Sequence, residues 1–157
     1  MLIVKRGMRR KSQSLERIKS RKRRLVVDTT VLVAGISVFN EIHIRGTNPS
    51  ADLLYNWVEK RSFVWLITED ILDEYKEVLK RLHVRPMLIG RIVNLIREQG
   101  VLCTVRAAAQ LSPDPNDDPF CQCAEQGNAD FVVTLNRKDF PRKNLRARVI
   151  EPGGFPI

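Results

Sequence analysis

Acidic side chains at the edges of apolar runs are the residues of this chain best suited to chemistry. Asp28 follows Leu-Val-Val, Glu74 lies in a helical pattern, Asp117 lies in an acidic segment, and Asp139 follows a β-branched run. Carboxylates repel one another, so a fold that gathers several of them usually holds a cation there. Oxygen ligands suit Mg²⁺ or Mn²⁺, and the sequence therefore predicts a site for a divalent cation.

Histidine and cysteine offer little material for other catalytic sites. The chain has only His43 and His83, which leaves few residues for a Ser/His/Asp or Cys/His set. Its three cysteines are odd in number, so we expect no disulfide framework. Cys121 and Cys123 are two apart on a predicted helix and point to different sides, which argues against a zinc site.

The charge of the chain is concentrated at its amino terminus. Residues 1–24 hold 11 of the 27 Lys and Arg residues and one acid, whereas residues 25–157 hold 16 basic and 17 acidic residues. We expect a basic arm at 1–24, flexible or helical, and one domain at 25–157. The arm either attracts nucleic acid through phosphate contacts or is a solvated tail, and both readings stay open.

Length and hydropathy favour a single domain that does not enter a membrane. At 157 residues the chain is large enough to bury a core of its own. No apolar run approaches the roughly 20 residues that cross a bilayer. We therefore expect a cytoplasmic protein.

Short β-branched runs alternate with helical patterns from residue 25 onward. Predicted strands are LVVD, FVWLIT, VLCTV and DFVVTL, with ARVI as a weaker fifth. Predicted helices are NPSADLLYNWVEKR, TEDILDEYKEVLKRL, RPMLIGRIVNLIREQG and DDPFCQCAEQG, while TVLVAGISVF is ambiguous. This alternation predicts an α/β fold with a mainly parallel sheet of four to five strands flanked by helices.

Two of the predicted strands end in polar residues. Open parallel sheets bind ligands beyond the carboxyl ends of their strands, and Asp28 is the first polar residue after Leu-Val-Val. Thr134 and Asn136 end another run in the same way. They should lie near Asp28 if the two strands are neighbours.

Helical phase singles out Glu74 among the acids of its segment. At 100° per residue, one apolar stripe contains Ile71, Leu72, Tyr75, Val78, Leu79 and Leu82. Glu74 lies closer to this stripe than Glu77 and the other acids, which we expect on the solvated face. A solvated position for Glu74 as well remains the alternative.

The acidic segment around Asp117 has two helical registers. Either Asp114 caps a helix with Pro115 in its first position, or Asp118 caps one with Pro119 there. Asp117 is the cap in neither register, which leaves it available as a ligand. A purely structural role for it remains open.

Three blocks of this chain together resemble PIN-domain proteins, specifically the VapC-like ribonuclease toxins of toxin-antitoxin systems. The blocks are VVDTTVLVAG, the Glu74 helix and DPNDDPFCQCAEQGNADFVVTLNRKDFP, within residues 25 to about 142. The family pattern has an aspartate seven residues before a small helical residue, as Asp117 stands before Ala124. The resemblance therefore favours Asp117 over Asp118, and it implies a three-layer α/β/α fold.

Two positions depart from the family pattern. Thr30 stands where Asn is more usual, and Asn136 stands where the family often has an aspartate after Thr-x. One way to restore the missing charge is a role for Asp139, three residues later. The fourth ligand position stays open between Asn136 and Asp139.

The resemblance implies a site and a reaction. Its catalytic residues would be Asp28, Glu74, Asp117 and Asp139, its metal ligands Asp28, Glu74, Asp117 and Asn136, with Thr30 and Thr134 contacting phosphate or water. The cofactor would be Mg²⁺ or Mn²⁺, and the reaction would be endonucleolytic cleavage of single-stranded RNA to 5′-phosphate and 3′-hydroxyl ends.

The resemblance also implies a homodimer that a protein antitoxin neutralises. The expected partners are therefore RNA, an antitoxin and a second copy of the chain. Two other functions remain in view, because a fold alone does not fix function. One is a PIN-like fold that binds RNA without cutting it. The other is a receiver-type signalling domain.

Overall fold

The computed structural model describes residues 21–104, 118–141 and 145–156, and its sheet has five parallel strands. The strands are β1 (Arg24–Val27), β2 (Val64–Ile67), β3 (Val101–Leu102), β4 (Phe131–Val133) and β5 (Arg148–Ile150). They pair in the order β3-β2-β1-β4-β5, and each pair is parallel. This arrangement confirms the predicted α/β class, and the weakest predicted strand forms as edge strand β5.

Helices connect the strands at the predicted places. They are α1 (Thr29–Ala34), α2 (Pro49–Lys60), α3 (Glu69–Arg81), α4 (Pro86–Gln99) and α5 (Asp118–Gln126). The ambiguous TVLVAGISVF segment contains most of α1 and the 3-10 turn Ile36–Phe39 that follows it. The side chains of Asn48 and Thr68 cap α2 and α3 by accepting hydrogen bonds from backbone N–H groups of the first turn.

Strand β1 lies in the middle of the sheet and is covered on both sides. Its residues Leu25, Val26 and Val27 are all fully buried. Successive side chains of a strand point to opposite faces, so burial of all three requires packing against both faces of the sheet. The sheet is therefore the middle layer between helices, as expected for three layers.

Several predictions concern residues outside the described ranges. Asp114, Asp117 and most of the basic arm lie there, so the role of Asp117 and the division into arm and domain stay predictions. Helix α5 is described from Asp118 onward, and the residues before it lie outside the described ranges, so both predicted registers stay predictions. Among the described helices, none has both the length and the apolar composition that a membrane crossing requires.

Candidate active site

Asp28 is fixed at the carboxyl end of the central strand. It follows β1 directly, is 3% exposed, and its backbone N–H donates to the Val133 carbonyl oxygen at 2.9 Å. Its side chain caps α1, where Oδ1 accepts from the Thr29 N–H at 2.9 Å. A strand end and a helix start thus hold this carboxylate at the rim of the sheet.

Two threonine hydroxyls orient the same carboxylate. Thr30 Oγ1 and Thr134 Oγ1 each donate to Asp28 Oδ2 at 2.7 Å. Each hydroxyl oxygen accepts a backbone N–H in turn, from Leu135 to Thr30 at 3.2 Å and from Asn136 to Thr134 at 2.9 Å. Because the N–H groups occupy the oxygens, the hydroxyl protons point at Asp28. We call these two chains of hydrogen bonds the threonine relays.

The relays leave Asp28 with room for one more partner. A carboxylate has about four acceptor positions, and three are filled within the described part of the chain, one on Oδ1 and two on Oδ2. The remaining position is on Oδ1. Thr30 and Thr134 therefore act here on Asp28, and their contact with phosphate or water stays a prediction.

Asp28 opens into a cleft of about 510 Å³ at this edge of the sheet. The cleft is lined by Asp28, Thr29, Thr30, Val33, Glu74, Glu77, Val78, Arg81, Leu82 and Asp139. Asp28, Glu74 and Asp139 come from distant parts of the sequence. The structure thus brings three of the four predicted catalytic residues to one cleft, and the fourth, Asp117, lies outside the described residues.

Helix α3 contributes more to the cleft than its helical phase indicated. Glu74 is half-buried and lines the cleft, which is consistent with the inward position predicted for it. Glu77 is exposed, as expected, yet it also lines the cleft one turn later, and so does Arg81. Helical phase does not indicate these two residues, because it reports only the distance of a side chain from the apolar stripe, whereas the cleft also borders the exposed side of the helix.

The two candidates for the fourth position differ in where they lie. Asp139 lines the cleft, whereas Asn136 is exposed and lies beside it. The side-chain amide of Asn136 donates to the Asp139 carboxylate. This geometry favours Asp139 as the residue that reaches the cleft and Asn136 as the residue that holds it, although the ligand itself stays a prediction.

Tyr75 binds the backbone next to Asp28 through its buried hydroxyl. Its position in the apolar stripe did not indicate this role. Its hydroxyl donates to the carbonyl oxygen of Val27, the residue before Asp28, and accepts from Trp65 Nε1 at 3.3 Å. Burial raises the pKa of Tyr75 well above its ordinary value, and the charges of Asp28 and Glu74 add to this effect. The signal in the sequence was that a buried tyrosine hydroxyl requires a partner.

The donor chemistry of the cleft suits a hard divalent cation, but the described residues do not complete a metal site. Within residues 21–104, 118–141 and 145–156, no three His, Cys, Asp or Glu side chains converge closely enough to hold an ion. Residues can line the same cleft without lying close enough to bind the same metal ion. The carboxylate oxygens and the remaining acceptor position of Asp28 nevertheless fit Mg²⁺ or Mn²⁺.

Comparison with known proteins gives one family match. A family model described as PIN domain matches residues 24–138. The match begins at the first residue of β1, includes Asp28 and Glu74, and ends one residue before Asp139. No curated protein matches the chain.

Proposed function

Because this chain belongs to the PIN domain family, whose members are generally nucleases, we propose that it is a metal-dependent endoribonuclease that cuts single-stranded RNA. The observation that carries this proposal is the cleft shared by Asp28, Glu74 and Asp139. In it the Asp28 carboxylate accepts three hydrogen bonds from described residues, which leaves one of its acceptor positions for a ligand.

PIN domains usually use divalent metal ions, and the oxygen donors of this cleft fit that chemistry. The ion would be held by Asp28, Glu74 and Asp117, with Asp139 or Asn136 completing the set. When bound, it would supply an acidified water and would neutralise charge at the phosphate.

The chain's own residues position the reacting groups. The threonine relays and the α1 cap keep Asp28 in one orientation, so that no side-chain freedom is lost when the substrate binds. Arg81 gives the acidic cleft a positive charge suited to a phosphate oxygen. In the proposed hydrolysis, the water oxygen bonds to phosphorus and the bond from phosphorus to the 3′ oxygen breaks. That oxygen takes a proton, which leaves 5′-phosphate and 3′-hydroxyl ends.

Incubation of the purified protein with single-stranded RNA tests this proposal. We expect endonucleolytic cleavage with Mg²⁺ or Mn²⁺ and none with excess chelator, because the ligand set is built from hard oxygen donors. The new ends should accept an adaptor that requires a 5′-phosphate. RNA binding without cutting, at any concentration of either metal, would contradict the proposal.

That contrary outcome corresponds to the second candidate, a PIN domain that binds RNA without cutting it. It is favoured by the neutral amide of Asn136, which is a weaker ligand for a hard cation than the carboxylate usual at this position. The receiver-type alternative has no such support. Receiver domains have the strand order 2-1-3-4-5, whereas this sheet has the order β3-β2-β1-β4-β5.

A biological role as a cytoplasmic toxin rests on the sequence resemblance. In this role the chain is a homodimer, and a protein antitoxin blocks its cleft. The neighbouring reading frames test the idea, because we expect an adjacent small protein with a DNA-binding segment. Its addition should abolish RNA cleavage, and a lack of inhibition by any neighbouring gene product would exclude the toxin role.

Replacement of Thr134 by Val tests the threonine relays. Thr134 is fully buried, and Val keeps its shape but removes the hydroxyl that links the Asn136 N–H to Asp28. We expect cleavage to fall about 10- to 100-fold, as for other groups that orient a ligand. The free energy of unfolding should fall by about 1–3 kcal/mol, because two hydrogen bonds of about 0.5–1.5 kcal/mol each are lost.

The matched variants for this test are Thr134→Ser, which keeps the hydroxyl, and Thr104→Val at an exposed position. Cleavage rates and urea unfolding should be measured for all of them. Thr134→Ser should restore most of the activity. Equal activity of Thr134→Val and the wild type would show that the relay does not position Asp28.

A further inference from the structure

Three arginines surround a second pocket, which lies at edge strand β5 and outside the carboxylate cleft. The pocket has a volume of about 300 Å³. It is lined by Arg137, Leu145, Arg146, Ala147, Arg148 and Val149, and all three arginines are exposed. We call it the arginine pocket. It has no role in the hydrolysis proposed above.

Two of the three positive charges are available to a ligand. Arg146 is anchored by Glu125, since its Nε lies 3.1 Å from Glu125 Oε2 and its Nη2 donates to the Glu125 carbonyl oxygen at 3.1 Å. The side chains of Arg137 and Arg148 make no hydrogen bond or ion pair within the described ranges. Among the described residues, the pocket therefore has two guanidinium groups without a charge partner beside a third that Glu125 binds.

A single 3-10 turn connects the arginine pocket with the cleft. The turn Arg137–Asp139 contributes Arg137 to the pocket and Asp139 to the cleft. Two residues of a 3-10 helix span about 4 Å along its axis. The backbone positions of Arg137 and Asp139 are therefore only a few ångströms apart along the turn.

The cleft itself is poorly suited to attract a polyanion. Its charged lining consists of four carboxylates and Arg81. A phosphodiester strand approaching these acids is repelled unless positive charge nearby compensates. The arginine pocket supplies such charge next to the cleft, on side chains whose planar forks bind phosphate oxygens in pairs.

We propose that Arg137 and Arg148 bind the phosphate backbone of the RNA strand on one side of the cut, with Arg146 as the fixed wall of the pocket. This inference rests on the proposed ribonuclease function. It names the residues that hold the substrate outside the cleft. Charged residues on an edge strand can instead serve to prevent sheets from pairing edge to edge, and the experiment separates that role from RNA binding.

The test measures RNA binding as a function of salt. A fluorescently labelled single-stranded RNA is titrated with the protein, silenced by Asp28→Asn, and dissociation constants are obtained by anisotropy at several KCl concentrations. One variant carries Arg137→Ala and Arg148→Ala. The control carries Lys60→Ala and Arg91→Ala, which remove the same charge from exposed positions that line neither the cleft nor the arginine pocket.

We expect the slope of log affinity against log salt to become shallower by about 1.4 in the arginine variant, about 0.7 for each lost phosphate contact. The control should keep nearly the full slope. In the active background the same arginine changes should raise KM and leave kcat nearly unchanged. An equal loss in both variants, no loss in either, or self-association of the arginine variant without a binding defect would overturn the proposal.

Failure of this inference is distinguishable from failure of the proposed function. A protein that cuts RNA but has the same affinity and salt slope in the arginine variant lacks the backbone site and keeps the nuclease function. A protein that never cuts RNA but loses binding in the arginine variant keeps the backbone site and lacks the nuclease function.

Discussion

Replacement of Asp28 by Asn is expected to lower RNA cleavage about 1000-fold, equivalent to about 4 kcal/mol in the activation barrier. The variant removes the charge of the carboxylate on which the cap of α1 and both threonine relays converge. A neutral amide is a weaker ligand for a hard cation than a carboxylate. Its NH₂ group also cannot accept the hydrogen bonds that a carboxylate oxygen accepts.

The fold should survive this change. Asn caps helices about as well as Asp, so α1 keeps its start. We expect the free energy of unfolding to fall by about 1 kcal/mol from the impaired relays, which chemical denaturation measures. Asp70→Asn, an exposed acid in the first turn of α3, is the charge-matched control and should keep wild-type activity. Wild-type cleavage by Asp28→Asn would show that the site is elsewhere.

The second large effect is expected at Glu74, with Glu77 as its comparison. Both side chains line the cleft and come from the same helix, but Glu74 is half-buried and Glu77 is exposed. A half-buried carboxylate is the better candidate to face a bound ion. We expect Glu74→Gln to lower kcat at least about 100-fold, roughly 3 kcal/mol in the barrier, and Glu77→Gln to change it less than about 10-fold.

Metal titration gives this comparison a second readout. If Glu74 holds the ion, Glu74→Gln should need more Mn²⁺ to reach half of its maximal rate, because one charged ligand is lost. Glu77→Gln should keep the wild-type requirement. The reverse pattern, with Glu77 the more sensitive position, would mean that the cleft acts through the exposed side of α3.

Local patterns were sufficient to predict most of the fold. β-branched runs identify the strands because strands buried on both faces read as continuous apolar segments. Asn48 and Thr68 identify two helix starts because their side chains satisfy backbone N–H groups that helices leave unpaired. The position of Asp28 at the rim also follows from local sequence, since the first polar residue after a buried strand lies at the edge of the sheet.

The threonine relays could not be predicted from local sequence patterns. They exist because β4 pairs with β1, which brings Thr134 and Asn136 onto the residues that follow Asp28. The sequence predicts that these residues lie near Asp28 only on the condition that the two strands are neighbours. It could not determine that the hydroxyls donate to Asp28, because hydroxyl direction depends on which backbone N–H groups occupy the oxygens.

The fourth position illustrates the same limit. The sequence alone did not favour either Asn136 or Asp139 as the fourth ligand. In the structure the turn Arg137–Asp139 distinguishes them, because Asp139 lines the cleft. Helical phase likewise ranked Glu74 first on α3 but did not reveal that Glu77 borders the cleft. Whether Asp139 and Glu77 line the cleft depends on the tertiary arrangement around the turn and around α3. Sequence periodicity does not contain that information.

The hydrogen bond between Asp28 and Thr134 joins residues 106 positions apart, with consequences for the order of events during synthesis. A growing chain contains Asp28 and all of α3 long before Thr134 has been made. Until then β1 lacks its β4 neighbour, and one relay to the carboxylate is absent. The unfinished protein thus carries Asp28, Glu74 and Glu77 without Asp139 and without the assembled cleft. If the proposed cleavage of RNA depends on the complete cleft, it can begin only after translation has passed Asp139 and β4 has paired with β1.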